Sequence, residues 1–244
     1  MRRIKKRQSI LLIILFGFLA TVSLTDMVLA AGSVVNSQHN MNVVSNPDVQ
    51  QRVCAFCHTP HHALTDANAD YNPLWSHTFT SQTFSEYESP TLQGADGGSI
   101  DVLAGPSRLC MSCHDGAIAV DQHYQFDGTD LRTGDSWGQI AVGAGGDLTN
   151  DHPIGFDYAV VGGTEDDTGW GNWGNGADPE IRGLATPLLA DPSRTIEDLM
   201  LPVGAQRIMT CASCHDVHDT YSVDNYFLIG EQQGSQICLT CHNK

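Results

Sequence analysis

All eight cysteines of this 244-residue chain fall into four copies of one five-residue pattern. The copies are Cys54-Ala-Phe-Cys57-His58, Cys110-Met-Ser-Cys113-His114, Cys211-Ala-Ser-Cys214-His215 and Cys238-Leu-Thr-Cys241-His242. C-x-x-C-H is the attachment signature of c-type haem. Two thiols anchor the porphyrin edge through thioethers, and the adjacent imidazole supplies one axial nitrogen to iron. Paired C-x-x-C units also build zinc sites, and Cys211/Cys214 with Cys238/Cys241 have ribbon-like spacing. Zinc does not require a histidine after every second cysteine, however. Four disulfides in an exported chain would equally leave those histidines unexplained.

The N-terminus predicts export. Arg2, Arg3, Lys5, Lys6 and Arg7 precede an apolar run from Ile10 to about Leu24, and Val28-Leu29-Ala30 offers a small-residue cleavage site. The unbroken apolar stretch ends near Ala20, short of the roughly 20 residues that a bilayer span needs. Residues 1–30 are therefore read as a cleaved signal peptide and 31–244 as the working domain, exported to the periplasm, the cell surface or the extracellular space. No membrane insertion is expected after processing.

Removing residues 1–30 takes away five of the 12 basic residues and one of the 28 acidic ones. Seven basic against 27 acidic residues remain, a net charge of −20. The last residue, Lys244, is the only lysine left. Nucleic acid needs clustered cations and is excluded as a partner. Cations, oxidised metals and positively charged redox proteins suit such a surface.

Helical periodicity is weak throughout. Short helices are expected beside each motif, and one more over Ser193–Met200 with Ser193 as its cap. The 101 residues between Cys110 and Cys211 include a Gly-, Asp- and Trp-rich stretch around 143–183 that reads as an irregular loop insertion. Its oxygens could bind calcium, although no EF-hand spacing is present. The fold class expected is mostly coil with short α-helices and little β-structure, wrapped around four covalently bound haems that serve as the core. Folding should then depend on the cofactor.

The sixth iron position decides the chemistry: filled, the haem carries electrons; open, it binds substrate. Seven histidines lie outside the motifs: His39, His61, His62, His77, His123, His152 and His218. Four would fill every site. His61 and His218 each follow a motif histidine by three residues. A porphyrin plane separates the two axial positions of one iron, so each is placed to reach a neighbouring haem rather than its own. His77 sits among apolar residues in Pro73-Leu74-Trp75-Ser76-His77, and Pro153 extends the backbone at His152. With His39, these are the distal candidates; His62 and His123 have weaker contexts. Met41, Met200 and Met209 lack a signalling context.

With Ser37-Gln38-His39-Asn40, Pro73–His77, Ser107–Gly116, His152-Pro153-Ile154-Gly155 and the four motifs in view, the chain resembles the exported tetrahaem cytochromes of the OmcE type, which polymerise into extracellular filaments. The resemblance covers about a third of the processed chain. It implies bis-His ligation throughout, a haem stack continuing from subunit to subunit, and an N-terminal histidine, here His39, that ligates a neighbouring subunit's haem. The function expected is electron transfer by a homopolymer toward external acceptors, with a soluble shuttle as the alternative. A multihaem reductase with one open iron is the rival class, but no motif has lost its histidine and the chain is not expected to be an enzyme.

Overall fold

A computed structural model describes residues 34–87, 101–124, 126–132, 142–162, 181–218 and 226–243. The expected export segment and residues 163–180 of the Gly/Asp/Trp-rich stretch, which carry most of the acidic side chains read as calcium candidates, lie outside the described residues. No described helix is long and apolar enough to cross a membrane.

Among the described residues the architecture is coil punctuated by short helices and one two-stranded sheet. The longest helix is Pro106–His114. Pro106 occupies its first turn, where a missing N–H costs nothing. Gly105 precedes it at φ 54°, and a Cβ there would run into Leu201. Ser107, Leu109, Met111 and Ser112 form the buried face. The sheet is a tight hairpin in which Leu201–Val203 pairs antiparallel with Gln206–Ile208. The helix expected over Ser193–Met200 is a 3-10 turn at Ile196–Leu199. Its cap is Thr195, which forms a capping box with Asp198, while Ser193 hydrogen-bonds Asp191 instead.

The apolar core is divided. One cluster gathers Tyr158, Val161, Leu188, Ile196, Leu199, Met200 and Met209. Two others hold only three buried residues each: Trp75, Phe79 and Leu109, and Leu103, Met111 and Leu148. Polar clasps do much of the remaining work. Asp121 accepts from Asn46 and from the backbone N–H groups of Thr129 and Asp130, closing a loop onto the N-terminal segment.

Asp48 is the densest clasp. Its carboxylate accepts from Arg52 Nε at 2.9 Å and Nη2 at 2.7 Å, from the Gln50 and Arg52 backbone N–H groups, and lies 3.2 Å from His123 Nε2. The Arg52 guanidinium holds this buried carboxyl well below the usual carboxylate range. A depressed carboxyl contributes stability above its unfolded pKa, and loses it as pH falls through the folded value. Asp48→Ala should cost about 3 kcal/mol, since it strands a buried imidazole nitrogen and two backbone donors. Urea unfolding at neutral pH measures that loss, and the gap between variant and parent should narrow in strong acid.

Candidate haem-binding site

Motifs one and three are built alike. In each, a 3-10 turn begins at or beside the first cysteine, over Val53–Phe56 and Cys211–Ser213. The motif histidine then donates its backbone N–H to that cysteine's carbonyl, at 2.8 Å for His58 and 3.1 Å for His215. A returning segment pairs with each turn. Thr59 N–H donates to Leu74 O and Ser76 N–H to Cys57 O; Asp216 N–H donates to Phe227 O and Ile229 N–H to Cys214 O. Leu74 and Phe227 occupy the same place in the two units, and both take positive φ, 61° and 59°. Bulky residues adopt that conformation at a cost of about 1–3 kcal/mol. Its recurrence marks a backbone path the unit requires.

That path fixes the imidazoles. His58 Nδ1 lies 2.8 Å from Pro73 O, and His215 Nδ1 lies 2.8 Å from Tyr226 O. A proton on Nδ1, donated to a carbonyl, leaves the Nε2 lone pair for a metal. His152 has the same arrangement with Pro153 O at 3.0 Å. Motifs two and four instead close helices, Pro106–His114 and Gln236–Cys241.

The distal candidates divide by placement. The His39 ring centre lies 6.1 Å from that of His114, His218 lies 6.1 Å from His58, and His152 lies 6.3 Å from His242. A metal–imidazole bond of about 2.0 Å, plus roughly 1 Å from nitrogen to ring centre, separates two trans rings on one metal by about 6 Å. Each pair joins a motif histidine to a histidine outside the motifs, at a separation compatible with one shared iron. The residues present therefore fit haem c. His39 is mostly buried, and burial, then the nearby His114 and His215, lower its pKa to about 4. It is thus held as the neutral ligand form.

His61 is exposed, and among the described residues no ring contact joins it to a motif histidine. His77 is fully buried, with Nε2 3.0 Å from Ala119 O and Nδ1 3.2 Å from Thr78 O. Both of its nitrogens face backbone carbonyls. His123 is a packing residue between Phe56 and Phe126, tied to Asp48 and to Asp121 O. His62 lies beside Tyr124 at 5.9 Å.

The anchoring thiols follow one another through the fold. Cys57 influences Cys110 and Cys113; Cys110 hydrogen-bonds Cys211; Cys214 feels Cys241 and Cys238. Ser107 Oγ accepts the Cys211 N–H at 3.0 Å, pinning motif three to the motif-two helix. The Cys110 S–H bonded to it lowers the Cys211 thiol to about 7. Among the described residues, no three His, Cys, Asp or Glu side chains converge as one metal ion held by side chains alone would require.

A family model for the doubled CXXCH motif matches residues 202–244, which contain motifs three and four. Comparison with curated proteins gives no match. The match defines a class: the C-terminal segment carries the paired attachment motifs of multihaem c-type cytochromes, which implies covalently bound haem c and electron-transfer chemistry. Motifs one and two lie outside the matched residues. The backbone bonding of Cys54–Ser76 nevertheless repeats that of Cys211–Ile229 bond for bond at the turn.

Proposed function

We propose that the chain is an electron carrier holding four haems, each with two histidine ligands, and that it works outside the cytoplasm. The observation that carries this reading is the set of three histidine pairs within the chain, at 6.1–6.3 Å. In this reading His218 completes the motif-one haem, His39 the motif-two haem and His152 the motif-four haem. Haem c supplies the one-electron couple; the chain supplies ligation, spacing and insulation. Two imidazoles per iron give a lower potential than His–Met ligation. At the three haems so ligated they also leave no coordination site for a substrate, which favours a carrier over a reductase.

The succession of anchoring cysteines from motif one to motif four supports transfer along the chain. The acidic surface supports cationic redox partners or oxidised metals as acceptors. Polymerisation into a conducting filament is the form that the resemblance implies, with His39 ligating a neighbour. The position of His39 against His114 of its own chain favours a subunit that completes this haem itself, as a soluble shuttle does.

His39→Ala separates the two forms. If His39 ligates within its own chain, the variant converts one haem to high spin without changing the assembly seen by electron microscopy. If the ligand is exchanged, the wild type forms filaments with continuous haem density and the variant is monomeric. A wild type without covalent haem would sink the proposal as a whole.

A further inference from the structure

Among the described residues, Trp75 Nε1, Arg108 Nε and Arg182 Nε are buried and have no acceptor. All three groups are donors only, and a dehydrated donor demands an acceptor. Each also stands beside an attachment motif. Trp75 forms an antiparallel bridge with His58, the ring centres 6.2 Å apart. Arg108 precedes Cys110 by two residues on the motif-two helix. Arg182 follows Ile181, which bridges to His242, and its backbone N–H donates to Cys241 O at 2.8 Å. The Tyr158 hydroxyl donates to Arg182 O at 2.8 Å and fixes that backbone from the other side.

The charge balance sharpens the point. Arg52, Arg108, Arg132 and Arg207 are ion-paired with Asp48, Asp101, Asp130 and Glu197. Arg182 forms no ion pair among the described residues, although carboxylates far outnumber cations in this chain. A guanidinium without an ion pair among the described residues, with its Nε shielded from water, is placed for an anion that arrives with a ligand. We propose that Arg182 and Trp75 hold haem propionates: Trp75 that of the motif-one haem, Arg182 that of a haem in the motif-three and motif-four half. This rests on the haem reading above. A cation at the propionate also stabilises the added electron on iron, so Arg182 would raise the potential of the haem it serves.

The test is spectroelectrochemical titration of the holoprotein carrying Arg182→Gln, Arg182→Lys or Trp75→Phe, with haem content measured on the same samples. Arg182→Gln should keep four covalent low-spin haems and lower one potential. Arg182→Lys, which keeps the charge, should largely restore it. Trp75→Phe, which deletes only the N–H and the pyrrole edge, should lower a different potential by less. Four haems with every potential unmoved would overturn the assignment. So would a wild-type potential that tracks added inorganic phosphate, since the anion would then come from solution. A chain lacking covalent haem fails the underlying reading instead, and the haem count tells the two failures apart.

Discussion

His218→Ala should convert one haem in four from six-coordinate low spin to five-coordinate high spin, while the mass of the protein still shows every haem attached. The residue sits three positions after His215, yet its ring lies 6.1 Å from His58. In the proposed ligation it therefore serves the haem of the distant first motif rather than its own. The affected iron gains an open site, so carbon monoxide should bind to about one quarter of the reduced haem in the variant and to essentially none in the parent, because two strong axial ligands leave no vacancy. The assignment is distinguishable from mere destabilisation. Exogenous imidazole should return the low-spin spectrum, and a general loosening would not be rescued that way. A variant whose spectrum matches the parent's would mean that His218 is not a ligand.

Preventing attachment at the second motif, with Cys110→Ser and Cys113→Ser together, should abolish cooperative folding rather than subtract one cofactor. The Pro106–His114 helix lies at a junction: Ser107 holds the motif-three turn, Leu109 belongs to the cluster with Trp75 and Phe79, and Met111 to the cluster with Leu103 and Leu148. Clusters of three buried residues cannot offset the chain entropy of so many irregular segments. Ligand-driven folding of small metal-binding domains contributes about 10–16 kcal/mol, as much as the whole net stability of an ordinary domain, about 5–15 kcal/mol. Thermal denaturation followed by circular dichroism should show a sharp transition for the holoprotein and a broad, featureless one for the variant. A sharp transition in both would show that the polypeptide alone carries the fold.

The sequence displays some of this openly. The attachment motifs, the scarcity of regular structure and the odd spacing of His61 and His218 can all be read directly, because each is a local pattern. The partnership of His218 with His58 cannot, since it spans 160 positions and depends on how the motif-three turn folds back. His77 illustrates the opposite problem. Its apolar neighbours mark it as buried, and burial suits a ligand and a packed residue equally; the carbonyls of Thr78 and Ala119 that face its two nitrogens come into view only once the fold is placed. Trp75 and Arg182 carry no sequence signal at all, because a missing acceptor is visible only when every neighbour has been placed. The cap lies two positions beyond the one expected, at Thr195 rather than Ser193, for a simpler reason. Asp191 competes for Ser193, and Thr195 is left to start the turn with Asp198.

The contacts among the anchoring thiols bear on how such a molecule is made. Burial pushes Cys57 up to about 11 and Cys214 up to about 12, and Cys110 keeps its proton in the bond it shares with Cys211. A protonated, enclosed sulfur is a poor nucleophile. In this arrangement Cys57, Cys110 and Cys214 would react slowly with the vinyl groups they must meet. On the haem reading proposed above, attachment before compaction is the order these raised thiols favour. In that order the packed arrangement is the last step in making the molecule, not the scaffold on which its cofactors are mounted.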